Sequence, residues 1–331
     1  MDIDRLTELI ITPGIPGREE MVRELITGYI NDTAKYNYTV DGLGNIIVEV
    51  GEGEPIIGFA AHMDEIGLLI TGSNKDGTLN FKKLGGIPGE ALPGRHLDVV
   101  NSQGDLLDGV IGIVPPHLRT DKNKQNDLCI DVGARNEKEL AELGVEVLDY
   151  AVFKKHISIL NDRYIAARSL DDRFGCSLLL DVLDNINTEK LKGTLIIAWT
   201  VQEEIGLVGS QALSSKYLPE LFFPVDSFAC CSKMTGSVET GKGPVLRMAD
   251  SRSIASYNTG KELLKLTRAK NIPLQIGVTG GGTDGIPFMQ KGVKTVPLSL
   301  AIKYLHSQVE YMSFEDYDNL YRLIMQIIYS F

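Results

Sequence analysis

Two hydrophobic periods alternate along this chain. Residues 4–10 and 18–31 carry the helical one, separated by the turn-rich Thr12-Pro13-Gly14-Ile15-Pro16-Gly17. Residues 37–50 alternate apolar and polar around Asp41-Gly42-Leu43-Gly44, which predicts a hairpin. Pro55 to Ala61 is a short continuous apolar run, the pattern of a strand buried on both faces. Thr194 to Thr200, Leu221 to Val225 and Thr295 to Ala301 repeat it, while 171–185, 260–270 and 314–329 read as helices. Ser169 is the expected N-cap of helix 171–185, with acids in its first turn. Strands alternating with helices predict an α/β fold with a mixed, mostly parallel sheet and helices on both faces.

The pattern changes between the two halves. Thr71 to Gly77 reads as a loop, short β-like pieces rich in Gly and Pro follow to about Val114, Lys122 to Asp127 reads as an exposed loop, and Asn136 to Leu143 as a short helix. Residues 68–158 are therefore expected to form a small β domain, inserted into a catalytic domain made of 1–67 and 159–331. A chain of 331 residues is long enough for two cores. No internal repeat or low-complexity tract interrupts it.

Composition narrows the function. A net charge of -11 argues against nucleic acid, whose phosphates require clustered cations. Met1-Asp2-Ile3-Asp4-Arg5 is not the start of a signal peptide, and no apolar run approaches the roughly 20 residues that span a bilayer. The expectation is a cytoplasmic protein with no membrane partner. Cys129, Cys176, Cys230 and Cys231 are expected to be free and mostly buried, with metal contact conceivable for the vicinal pair just after Asp226.

Chemistry gathers near the ends of the predicted strands. His62 and Asp64 follow strand 55–61, Glu203 and Glu204 follow strand 194–200, Asp226 ends strand 221–225, and His306 follows strand 295–301. Asp171 comes from the loop entering a helix. Parallel sheets bring such positions together at their carboxyl edge. Imidazole with carboxylate suits zinc and other first-row divalent ions, and a two-ion site needs a bridging carboxylate. Glu203 and Glu204, adjacent on an extended chain, point apart, so one can ligate while the other faces water. Asp64, two residues from His62, is expected to accept the second ring N–H of that imidazole.

The chain resembles the tetrahedral aminopeptidase family, also called glutamyl or deblocking aminopeptidases, within the co-catalytic metallopeptidase clan. The resemblance covers nearly the full length. It rests on Ala61-His62-Met63-Asp64-Glu65-Ile66-Gly67, Leu170-Asp171-Asp172-Arg173, Gln202 to Gly209, Gly281-Gly282-Thr283-Asp284 and Tyr304-Leu305-His306-Ser307, with Gly109-Val110-Ile111-Gly112 and Pro115-Pro116-His117-Leu118 in the insert. It implies a phosphorylase/hydrolase-like catalytic domain with a PDZ-like β-barrel insert used in oligomerisation. It also implies two divalent ions per subunit, zinc or cobalt. His62 and Asp226 would bind one, Glu204 and His306 the other, and Asp171 would bridge them. Glu203 would be the general base and Asp64 the support of His62. Peptides would be the substrates, and dimers would assemble into a tetrahedral homo-dodecamer with its active sites facing an internal chamber. The chain departs from the family at Lys303, Gln308 and Ser227 to Cys231, near where a substrate would sit.

Other readings share some of these residues. A deacylase or carboxypeptidase would use the same ions. A glycosidase would use Glu203 or Glu204 with another acid, but adjacent glutamates flank a sugar bond poorly and neither histidine would serve it. A non-catalytic assembly protein would have no use for the complete ligand set.

Overall fold

Apolar runs become central strands in the computed structural model, which describes residues 1–115, 117, 128–233 and 235–331. Ile56–His62 and Thr194–Thr200 pair in parallel, from Ile56 opposite Thr194 to His62 opposite Thr200. The sheet runs in the order Tyr38–Val40, Ile46–Val50, Thr194–Thr200, Ile56–His62, Leu221–Ala229, Leu298–Ile302, Val245–Ala249, Gln275–Val278, with Lys294–Thr295 beside Leu221–Ala229. Its centre is parallel and its flanks partly antiparallel, as expected.

The two-residue period sorts side chains between the faces. Phe59, Ile197 and Trp199 enter the large core beneath helices Leu170–Asn185, Ile3–Ile11 and Phe314–Ser330. Ala60, Ile196 and Ala198 enter a smaller core with Leu213 and Phe288, from helices Val208–Lys216 and Gly285–Gln290. Pattern reading missed these two helices: one is nine residues and the other six, and neither has a strong apolar stripe. The predicted hairpin is present, its turn held by Asp41 Oδ1 accepting from the amides of Leu43, Gly44 and Asn45.

One strand runs further than its apolar pattern. Leu221–Ala229 continues past Asp226, so that acid lies within a strand and does not end one. Residues 221–224 pair with Ile56–His62, whereas 225–229 pair only with Leu298–Ile302. The change of partner falls after Pro224, which has no amide hydrogen for a ladder. Beyond it the sheet opens between His62 and Asp226.

The insert folds as a closed antiparallel barrel of strands Gly67–Ser73, Leu79–Leu84, Ile130–Asp131, Leu106–Ile111, Arg95–Val100 and Tyr150–Phe153, in that order around the barrel. It buries its own apolar cluster, including Leu68, Leu97, Val99 and Phe153. Thr71 to Ser73 belong to a strand, so the expected loop shrinks to the turn that follows. The expected loop Lys122 to Asp127 lies outside the described residues, as do Pro116 and Leu118. After the barrel, Ser158–Leu160 and Tyr164–Ala167 join Glu310–Ser313 in a small antiparallel sheet. This sheet sets the C-terminal site loop against the segment leading to Asp171.

Of the four cysteines only Cys176 is buried; Cys231 is exposed, and Cys129 and Cys230 are half-buried. Cys231 lies just past the end of its strand, where the backbone turns left-handed with φ 65°. Among the described residues no helix is long and apolar enough to cross a membrane.

Candidate metal centre

Five predicted ligands converge where the sheet opens. His62 is the last residue of its strand, Asp226 faces it across the gap, and Glu204 follows Thr194–Thr200 by four residues. His306 sits in the loop after Leu298–Ile302 with a left-handed φ of 59°. Asp171 heads the helix Leu170–Asn185, but neither it nor Asp172 has helical backbone angles. Ser169 is not the side-chain cap expected there. Its φ is 64°, and its hydroxyl donates to Glu65. Asp172 does the capping instead, accepting from Gly175 N at 3.2 Å through Oδ1 and from His62 N at 3.3 Å through Oδ2.

Asp171 occupies the centre of the site. Its Oδ1 lies 3.2 Å from His62 Nε2, and its Oδ2 lies 3.3 Å from His306 Nε2. Asp226 Oδ1 is 4.0 Å from His62 Nε2, and Glu204 Oε1 is 3.2 Å from His306 Nε2. The ligand atoms of His62, Asp171 and Asp226 form one cluster and those of Asp171, Glu204 and His306 a second, each within 4.8 Å. Such a donor set fits divalent cations. No cysteine joins either cluster among the described residues.

A surrounding layer fixes these groups. His62 Nδ1 lies 3.0 Å from the Asp64 carbonyl and 3.6 Å from its carboxylate. The carboxylate oxygens of Asp64 accept from Glu203 N and Glu204 N. The expected His62–Asp64 support is therefore mainly through the main chain, because the side chain is engaged by the glutamate turn. Glu310, which motif reading missed, accepts from His306 N at 2.8 Å and Asp171 N at 3.3 Å. Ser227 donates its hydroxyl to Asp171 Oδ2 at 2.9 Å. Arg247, buried, reaches within 4.0 Å of Asp226. No local signal marks Glu310 or Arg247; only the converging strands assign them here.

The electrostatics are those of crowded acids and imidazoles. Burial, with Asp171 nearby, pushes Asp226 up to about 8. Burial opposes charge on His306, but Asp171 and Glu204 overcome it and raise the imidazole to about 11. The same balance, with bonds from Asp171 and Asp64, holds His62 well above its ordinary value. Burial also holds Glu203 well above the carboxylate range; His62 counters it, while Asp226, Asp284 and Glu204 add to it. Asp284 is buried, its Oδ2 accepting from the Thr200 hydroxyl. This excess of acid is what bound cations would offset.

A cavity of about 380 Å³ opens over both clusters. Glu203 lines it beside Asp226 and Glu204, while Arg252 and Gly280 to Gly282 form its far wall. Two departures from the family pattern turn outward from this chemistry. Lys303 stacks on Tyr311, 5.2 Å from the ring centroid. Gln308 accepts from Arg95 of the barrel at 2.9 Å.

Fold and ligand set together define a metal-dependent peptidase. The chain matches the family model described as M42 glutamyl aminopeptidase over residues 44–323, and it belongs to that family. It is a metal-dependent aminopeptidase. It is 30% identical to the lysyl aminopeptidase of Pyrococcus furiosus, covering 99% of this chain and 97% of that one. It is 29% identical to the glutamyl aminopeptidase of Lactococcus lactis, covering 99% and 95%. The solved TET1 peptidase of Pyrococcus horikoshii, described as assembling into a tetrahedron or a large octahedral shell, superposes with a TM-score of 0.94 at 47% identity over 99% of each chain.

Proposed function

We propose that this chain releases N-terminal residues from peptides with Glu203 as general base beside two divalent ions, zinc or cobalt. The observation that carries the reading is Asp171, which presents one oxygen to His62 and the other to His306. His62 and Asp226 would hold one ion, Glu204 and His306 the other, and Asp171 would bridge them. Bound there, two ions polarise the scissile carbonyl and lower the pKa of a water. Glu203 takes the proton of the attacking water and returns it to the leaving amine. The match to the aminopeptidase family favours trimming from the N-terminus over internal cleavage.

The far wall favours an acidic first residue. Arg252 is exposed there, and its guanidinium has no carboxylate partner among the described residues, so it can meet a substrate carboxylate and repel a lysine. We read residues 68–158 as a separate unit for homo-oligomer assembly, with dimers building a dodecamer. The assembly of the Pyrococcus horikoshii relative and the exposed Leu106, Ile113, Val147 and Leu148 of the barrel support this. The free thiols of Cys176, Cys230 and Cys231 support a cytoplasmic setting.

The test is hydrolysis of an aminoacyl-p-nitroanilide panel by metal-stripped protein, by protein restored with zinc or cobalt, and by restored Glu203→Gln. Activity should return with metal and fall by about 10²–10⁴-fold in Glu203→Gln, with metal content unchanged. Undiminished turnover by Glu203→Gln would remove it as the base.

A further inference from the structure

The turn carrying Glu203 and Glu204 belongs to no helix or strand, and Gln202 at its start has a left-handed φ of 54°. Three successive backbone amides there are tied to two buried acids. Gln202 N donates to Glu19 Oε1 at 3.0 Å, Glu203 N to Asp64 Oδ1 at 3.0 Å, and Glu204 N to Asp64 Oδ2 at 3.1 Å. Asp64 follows His62 in a recognisable motif. Glu19 comes from the N-terminal turn, and nothing in the sequence links it to the site.

Its placement is unusual for a helix-start acid. Glu19 stands at the N-cap position of helix Glu20–Thr33 but makes no side-chain capping bond to that helix. It is only 2% exposed, and its Oε1 instead accepts from both Gly17 N, at 2.8 Å, and Gln202 N. One carboxylate oxygen thus joins the first turn of the chain to the residue preceding Glu203.

We propose that Glu19 is a positioning residue for the reaction. Its carboxylate fixes the Gln202 amide and thereby the direction in which Glu203 enters the cavity. The inference rests on the reading of Glu203 as the base. A non-glycine residue keeps a left-handed backbone only while its surroundings over-determine it. Without the Glu19 bond the 201–202 peptide loses its anchor and the left-handed Gln202 relaxes, turning the side chain of the residue that follows it. Asp64 still holds the Glu203 and Glu204 amides, so ligation survives while the base is misplaced. A shift of about 1 Å in a catalytic group costs up to about 10²-fold in rate.

The full-length chain is prepared with zinc or cobalt as Glu19→Ala, Glu19→Gln, Glu19→Asp and Glu203→Gln. For each, kcat and KM on the best anilide and metal per chain are measured. Glu19→Ala should lower kcat per loaded site by about tenfold or more, with KM within about twofold and metal per chain unchanged. Glu19→Gln keeps an acceptor oxygen and should return to within about threefold of the parent. The inference is overturned if Glu19→Ala keeps kcat per loaded site within about twofold, if lost metal accounts for the whole loss, or if Glu19→Gln is as impaired as Glu19→Ala. Should Glu19→Ala fail to fold, Glu19→Asp, one methylene short, is judged by the same figures. An active Glu203→Gln would overturn the base reading itself; an inactive Glu203→Gln beside a normal Glu19→Ala overturns only the role of Glu19.

Discussion

Replacing Glu65 with Gln tests what joins the barrel to the catalytic core. Glu65 is 1% exposed and takes Lys155 on Oε1, with Arg173 Nη2 at 3.6 Å; Arg168 Nε lies 3.5 Å from Oε2. Lys155 follows the last barrel strand, and its side chain, like those of Arg168 and Arg173, is almost wholly buried. One carboxylate therefore serves three buried cations. Removing one member of a buried ion pair costs about 3–5 kcal/mol. With a urea slope of about 3 kcal/mol/M, the midpoint should fall by about 1–1.7 M at pH 7.

The pH dependence has a definite sign. The Glu65 carboxylate is held below its ordinary value, because the three cations together outweigh burial. Its contribution is present above the unfolded glutamate pKa and is lost as pH falls through the folded one. Lys155 is pushed down to about 8, chiefly by burial. Without Glu65 it falls further, so the folded variant releases that proton earlier than the parent. The unfolded variant then binds more protons, and its stability gains on the parent as pH rises toward 8. Urea unfolding of both proteins at pH 5, 7 and 8, at one metal concentration, checks the magnitude and the trend. A midpoint shift under about 0.3 M at pH 7, or a deficit that widens toward pH 8, would refute the argument. Adding Lys155→Met to Glu65→Gln should recover part of the loss, a coupling a double-mutant cycle measures.

Metal uptake should depend on pH in the opposite sense to proton binding. Ligation must displace protons that Asp226, raised to about 8, and His306, raised to about 11, hold in the stripped protein. Apparent zinc affinity, measured by competition with a chelator between pH 6 and 8, should rise about tenfold per pH unit for each proton displaced; a flat profile would mean the donors are already free. Arg252→Glu should reverse the preference between glutamyl and lysyl anilides, mostly through KM, by about tenfold or more. Unchanged ratios would place the side-chain pocket elsewhere.

Much of this protein was legible in one dimension. Strand 56–62 and strand 194–200 announce themselves because a strand buried on both faces must be apolar throughout. The candidate donors His62, Glu204 and His306 end or follow such strands, so local pattern and topology point to the same edge. Asp226 was legible as a candidate donor but not as a residue within a strand, because apolar pattern ends where the sheet parts and the chain turns its polar atoms to the site.

What remained hidden depends on contacts between distant segments. Ser169 looks like a helix cap, yet its hydroxyl is taken by Glu65 and the capping falls to Asp172. Glu19 and Glu310 look like ordinary surface acids, since single charged residues carry no periodicity. Their roles arise only when folding brings them to the amides of Gln202, Asp171 and His306. The sequence by itself determined the layers, the candidate donors and the chemical class, because those follow from local patterning and residue type. Tertiary structure alone decided how the donors are held, because buried amides donate to whichever carboxylate the packed chain delivers, whatever its place in the sequence.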